Sequence, residues 1–115
     1  MVQKFQIKID INGSVAILGM QGDVTHECEN NMLNAYDKIS TAKVKHILFD
    51  FSQVDYINSA GMSVIIMLLT KSQEVDQQLH ACGLSSHFQK IFGMVGLLKY
   101  IPHYETREEA LKAIA

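Results

Sequence analysis

Apolar residues alternate with polar ones at the start of the chain and follow a helical spacing further along. Every odd position from 5 to 11 is apolar, which predicts a strand with one dry and one wet face. Asn12-Gly13 is a strong hairpin-turn signal, so the apolar run 15–20 is predicted to form an antiparallel second strand. Apolar residues at helical spacing then predict a helix over about 26–40.

The stretch 47–69 predicts a buried strand, a polar turn and an apolar helix. The strand is predicted over 46–51 and the turn over 52–55. The helix that follows is apolar around most of its girth, which predicts a position in the core. The remaining predicted elements are a short strand at 79–82, a short helix at 87–94, an edge strand at 97–101 and a terminal helix that Thr106 caps.

These elements follow the order β-β-α-β-α-β-α-β-α. This order is typical of an α/β fold with a mixed sheet of four or five strands, begun by a hairpin and shielded by about four helices. With 115 residues, of which 48% are hydrophobic, the chain is expected to form a single domain over residues 1–115 with a core of its own.

A serine stands at the predicted start of the apolar helix. Asn58 and Ser59 both suit the N-cap position, and Gly61 allows another backbone or a ligand to come close. The free backbone N–H groups and the helix dipole favour a negative charge there, such as a phosphate on the Ser59 oxygen. On local physics alone, a plain helix cap is the more common role for a serine at this position.

Three stretches of the chain resemble the STAS domain, the family of bacterial anti-sigma factor antagonists. They are Gly22-Asp23-Val24; Asp50-Phe51-Ser52 with Val54, Ile57 and Asn58-Ser59-Ala60-Gly61; and Phe92, Gly96-Leu97, Ile101, Thr106 and Glu108-Glu109-Ala110-Leu111. The central stretch is similar to the family pattern D-h-S-x-h-x-x-h-D-S-[SA]-G, in which h is a hydrophobic residue. The resemblance covers nearly the whole chain and implies the STAS fold.

Two positions depart from the family's pattern. Asn58 replaces the aspartate that precedes the serine in many antagonists, so the capping oxygen is kept and the charge is lost. Thr25 stands where an aspartate often follows the glycine-acid-hydrophobic turn. Two acids that usually lie around the serine are therefore neutral here.

The resemblance implies an anti-sigma factor antagonist, which is a regulatory protein and not an enzyme. The implied partners are an anti-sigma factor that is a serine kinase of the GHKL type, which phosphorylates Ser59, and a phosphatase of the PP2C type. The expected partner surface combines Asp23, Val24 and Thr25 with the start of the helix. The residues expected around the phosphorylated serine are Asp50, Ser52, Asn58, Ala60, Gly61, Met62 and Ser63.

The residues also admit other interpretations. The same fold can act as a phosphorylation-independent interaction module or scaffold, including a homodimer, with Ser59 only a cap. Ser63 is a rival acceptor but more ordinarily a solvent-facing residue, and Met62 is more ordinarily a core residue. For Asp50, a simple cap of the predicted turn is as good an interpretation as a role at the site. A nucleophilic enzyme using Ser59 or Cys28 ranks last, because the chain has no GxSxG elbow, P-loop or paired catalytic carboxylates.

Composition argues against other classes of partner. The formal charge is −2 and the 10 Lys and Arg residues form no basic run, which argues against nucleic acid and anionic membranes. Residues 1–10 lack a hydrophobic signal core and the longest apolar run, 64–69, is too short to span a bilayer, so a cytoplasmic location is expected. Cys28 and Cys82 form no CxxC pair and the histidines lack metal-binding spacing, so neither a metal nor a cofactor is expected.

Overall fold

Within residues 4–40 and 43–114, which the computed structural model describes, the chain forms a five-stranded sheet and four α-helices. In chain order the elements are β1 (Gln6–Asn12), β2 (Val15–Val24), α1 (Glu29–Ser40), β3 (His46–Ile57), α2 (Ser59–Glu74), β4 (Gln78–Cys82), α3 (Ser86–Met94), β5 (His103–Tyr104) and α4 (Arg107–Ile114). Two short 3₁₀ turns, His26–Cys28 and Leu97–Lys99, precede α1 and follow α3.

The strands lie side by side in the order of the chain, from β1 at one edge to β5 at the other. β1 and β2 form an antiparallel hairpin, and the other neighbouring strands are parallel to each other. Parallel neighbours need crossover connections, which α1, α2 and α3 supply. The predicted mixed α/β sheet begun by a hairpin is therefore confirmed.

The two faces of the sheet are covered by different helices. The face that carries Leu18 and Phe49 packs against apolar residues of α1, α2 and α3 in the main core. On the other face, Ile17 and Leu48 pack against Ala110 of α4 in a smaller cluster. None of the helices in the described residues is both long and apolar enough to cross a membrane.

Strand β3 is twice as long as the sequence predicts. The predicted strand ended at Phe51, whereas β3 continues to Ile57 and pairs with the second half of β2. The turn predicted at 52–55 is therefore wrong, because this half of the strand is mostly exposed and an exposed strand does not need an apolar pattern. Two register shifts against β2 occur in the same region.

The predicted edge strand at 97–101 is also wrong. Leu97–Lys99 is a 3₁₀ turn, and the last strand is the two-residue β5 beyond Pro102. Gly96 has a φ of +81°, which ends α3 and redirects the chain. The N–H of Ile101 donates to the carbonyl of Leu97 at 2.8 Å, so these two apolar residues reach the core through a turn and not through an alternating strand.

Candidate functional site

The start of α2 is capped by Asn58 and not by Ser59. The Asn58 side-chain oxygen accepts a hydrogen bond from the Gly61 N–H at 2.8 Å, and the Asn58 backbone is extended. Ser59 is the first residue of the helix, and its side chain is exposed. Among the described residues, nothing forms a hydrogen bond with the Ser59 hydroxyl. The interpretation of Ser59 as a plain helix cap is therefore wrong, and its hydroxyl is open to solvent.

The end of β2 holds the start of α2 in place. The Asn58 N–H donates to the Val24 carbonyl at 3.2 Å, and Val24 pairs with Ile57 in the sheet. Gly61 packs so closely on the Val24 carbonyl that a Cβ atom at position 61 would overlap it. The close approach of another backbone that the sequence predicts at Gly61 is this contact with Val24, and it requires glycine.

Residues 23–25, which the sequence predicts to form part of the partner surface, include and flank this contact at Val24. Asp23 and Val24 are the last residues of β2, and Thr25 accepts a hydrogen bond from the Glu27 N–H to cap the 3₁₀ turn before α1. Val24 is buried, whereas Asp23 and Thr25 are partly exposed. The structure thus brings Asp23–Thr25 and the start of the Ser59 helix together.

One face of α2 is open to solvent along its length, contrary to the prediction of a core helix. Ser59, Ser63, Ile66, Met67 and Thr70 are exposed and share this face, which we call the outer face of α2. Ile66 is 43% exposed and Met67 is 36% exposed. Apolar spacing predicted the buried side correctly, but it could not show that the opposite side stays uncovered by the other described elements.

The other predicted neighbours of Ser59 divide into surface and core residues. The Ser63 hydroxyl is exposed and donates to the Ser59 carbonyl at 3.1 Å, as a solvent-facing helix residue can. Ala60 is partly buried. Met62 is 9% exposed and packs α2 onto the main core, so it is not available to a partner.

Asp50 and Ser52 do not lie beside Ser59. Ser52 precedes the end of β3 by five residues, which is roughly 17 Å along the strand. Asp50 lies next to α4 on the opposite face of the sheet from α2, where its carboxylate binds Arg107. The prediction that these two residues end a strand beneath the serine is wrong, because the strand continues past them.

The Asp50 carboxylate instead fastens α4 to the sheet. One oxygen accepts from Arg107 at 2.8 and 3.0 Å, and the other accepts from the backbone N–H and the hydroxyl of Ser52 at 2.9 and 2.7 Å. Burial alone would raise the pKa of Asp50, but the hydrogen bonds from Ser52 and Arg107 outweigh it and lower the pKa. Arg107 is separated from Asp50 by 57 residues, so no local sequence pattern could have revealed the pair.

The cysteines are buried in structural positions. The Cys28 thiol donates to the Met32 sulfur at 3.4 Å. Burial raises the pKa of Cys82 to about 12, with the nearby Asp50 acting in the same direction, so this thiol stays protonated and unreactive. No group of three or more metal-ligating side chains suited to an ion occurs in residues 4–40 and 43–114.

Comparison with known proteins assigns this chain to one family. The STAS domain model matches residues 6–110, so the chain belongs to the STAS domain family. The STAS fold expected from the sequence motifs is thereby confirmed.

Proteins similar to this chain include several named as anti-sigma factor antagonists. BtrV of Bordetella bronchiseptica, which carries that name, is 30% identical over 69 residues, a match that spans 60% of each chain. The anti-sigma F factor antagonist of Paenibacillus polymyxa is 22% identical over 107 residues and 92% of each chain. The phosphorylated form of the Bacillus cell fate determinant SpoIIAA has the same fold, with a TM-score of 0.74, 18% identity, and coverage of 97% of this chain and 100% of the other.

Proposed function

We propose that this chain is an anti-sigma factor antagonist whose binding to an anti-sigma factor is controlled by phosphorylation of Ser59. The partner in this proposal is a serine kinase of the GHKL type, and a PP2C-type phosphatase reverses the modification. One observation carries the proposal: the Ser59 hydroxyl is exposed at the start of α2 and is not engaged as a cap. The names of the similar proteins BtrV and the Paenibacillus antagonist support the general role.

The start of α2 suits a phosphoserine. The Asn58 oxygen already satisfies the Gly61 N–H, and other first-turn N–H groups remain near a phosphate on Ser59. The positive end of the helix dipole stabilises that phosphate by about 0.3–1 kcal/mol. Phosphorylation can therefore occur without unfolding the helix.

The partner surface in this proposal consists of Asp23 and Thr25 at the end of β2 and the outer face of α2, whereas the buried Val24 supports it from within. The exposed apolar side chains Ile66 and Met67 supply area that a protein partner covers. Tyr56, which is 51% exposed, pairs with Asp23 in the sheet and so lies beside the other part of this surface. Ser59 begins α2, where the helix contacts the end of β2. A kinase that docks here therefore has its acceptor within the docked surface.

Phosphorylation then weakens binding through charge. A phosphate adds about −1.5 to −2 units of charge to a surface that must lose water when the partner binds. Burying that charge without a matching cation costs several kcal/mol. The switch needs no change of shape in the domain.

A phosphorylation-independent interaction module is the second candidate function. Asn58 favours it, because a kinase that reads an aspartate before the acceptor serine would not find that charge here. The exposed Ile66 and Met67 serve a permanent partner equally well.

Phosphate mapping decides between the two functions. The chain is incubated with ATP and a cognate anti-sigma kinase of the GHKL type, and the modified residue is located by mass spectrometry. We expect modification of wild type and of Ser63→Ala, which removes the neighbouring hydroxyl, and none of Ser59→Ala. Modification of Ser59→Ala, or of Ser63 alone, would refute the assignment, and an unmodified wild type that still binds the kinase would favour the permanent module.

A further inference from the structure

Strand β1 forms an open edge of the sheet. All of its residues, Gln6–Asn12, pair with β2 on one side, and no strand in the described parts of the chain pairs with its other side. The strand contains no proline, and its register with β2 has no bulge. Proline and bulges are two features that block pairing at such an edge. Of the features that protect an edge, β1 has only charged side chains, so its free backbone groups can still pair with another strand.

The hairpin geometry determines which backbone groups of β1 point outward. The two-residue turn joins Asn12 to Val15, and the residues that flank such a turn form a hydrogen-bonded pair. Hydrogen-bonded and non-hydrogen-bonded pairs alternate along antiparallel strands. Ile7, Ile9 and Ile11 therefore direct their N–H and C=O groups away from β2, towards the open edge.

We propose that two copies of this chain pair through their β1 strands, antiparallel and about a twofold axis at Ile9. In this register Ile9 lies opposite the partner's Ile9, and Ile7 lies opposite the partner's Ile11. Lys8 lies opposite the partner's Asp10. By the twofold symmetry, Asp10 also lies opposite the partner's Lys8. The two sheets then join into one, with the outward backbone groups of three residues from each strand hydrogen-bonded.

The charges on β1 select this register. Lys8 and Asp10 are exposed, lie on the same face of the strand, and form no ion pair with any other described residue. Opposite charges directly across a strand pair stabilise it, and like charges destabilise it. Sliding one strand by two residues places Lys8 opposite the partner's Lys8, or Asp10 opposite the partner's Asp10. Only the register centred on Ile9 pairs both charges with opposite ones.

The apolar face of β1 supports the same arrangement. Ile7 and Ile9 are half-buried at the margin of the main core, and Ile11 is 46% exposed. Pairing about Ile9 brings these side chains against their counterparts on the helix-covered side of both sheets and removes Ile11 from water. Because each copy uses the same surface, the contact is closed, and it produces a dimer and not a fibre.

Sedimentation velocity over a concentration series tests the dimer. Wild type should show a monomer–dimer equilibrium, and Lys8→Asp and Asp10→Lys should each raise its dissociation constant about tenfold or more, because each substitution places two like-charge pairs across the interface. An equimolar mixture of the two variants should dimerise again, since an acidic strand then faces a basic one. A wild type that stays monomeric up to about 1 mM, or a dimer that neither substitution weakens, would overturn the inference.

Matched controls separate this contact from general charge effects. Lys99→Asp and Glu74→Lys change exposed charges away from β1, so alone and mixed they should leave the dimer unchanged. If either control variant weakened the dimer as much as the β1 variants do, a general charge effect would explain the result and β1 would not be the interface. Ser59→Ala should leave dimerisation intact, because Ser59 lies on α2; the dimer and the phosphorylation of Ser59 can therefore fail independently.

Discussion

Replacing Gly61 with alanine tests the contact that positions Ser59. A Cβ atom at position 61 would overlap the backbone carbonyl of Val24, a group that cannot rotate aside. Either the end of β2 or the start of α2 must move. The movement strains the 3.2 Å hydrogen bond from the Asn58 N–H to Val24 and the 2.8 Å cap from Asn58 to Gly61.

The size of the effect follows from these contacts. Overpacking of this kind costs about 1–3 kcal/mol, and loss of a helix cap costs about 1 kcal/mol. Alanine recovers roughly 0.5–1 kcal/mol through its better helix propensity. We therefore expect Gly61→Ala to lower the free energy of unfolding by about 1–3.5 kcal/mol.

Urea unfolding followed by circular dichroism measures this change, and the chain provides a matched control. Gly93 also lies within a helix, but a Cβ atom there would meet nothing closer than the Leu98 side chain at 3.7 Å. Gly93→Ala should therefore raise stability by about 0.5 kcal/mol. If Gly61→Ala proved as stable as Gly93→Ala, the close packing of α2 on β2 would be wrong.

Two further predictions concern the cap and the pH dependence of stability. Asn58→Ala should lower the free energy of unfolding by about 1 kcal/mol, whereas Ser59→Ala should change it by less than about 0.5 kcal/mol in the same urea assay; equal effects would contradict the assignment of the cap. Burial, with a contribution from nearby His46, lowers the pKa of His80 from 6.5 to about 4. The unfolded chain therefore binds a proton at this histidine before the folded chain does, and stability should fall by up to about 3 kcal/mol as the pH drops through this range. His80→Leu should reduce the pH dependence of the free energy of unfolding, whereas His87→Gln, at an exposed position, should leave it unchanged. If His80→Leu showed the same pH dependence as wild type, His80 would not be its cause.

The elements with a regular apolar pattern were predictable from the sequence. The hairpin followed from alternation and from Asn12-Gly13, because one face of β1 and β2 lies over the core. The position of Ser59 at a helix start followed from the change of apolar period near Asn58. The sequence could not decide which of these two residues is the cap, since both side chains carry a suitable oxygen and the choice depends on the contact with Val24.

The errors arise where tertiary contacts replace local signals. The second half of β3 is polar because it is mostly exposed, yet its backbone pairs with β2. The family pattern and the predicted strand end assigned Asp50 to the surroundings of the serine, but β3 continues past Asp50 and Arg107 binds it from α4. The exposure of Ile66 and Met67 depends on which elements cover α2, which spacing along one helix cannot reveal.

In the proposed switch, charge at the Ser59 oxygen controls binding of the partner kinase. The most direct measurement is the affinity of the kinase, by isothermal titration calorimetry, for the unmodified chain and for the chain carrying phosphate only on Ser59. We predict a dissociation constant at least about tenfold larger for the phosphorylated form, with Ser59→Asp between the two because it carries less charge. Equal affinity of the kinase for both forms would contradict the claim.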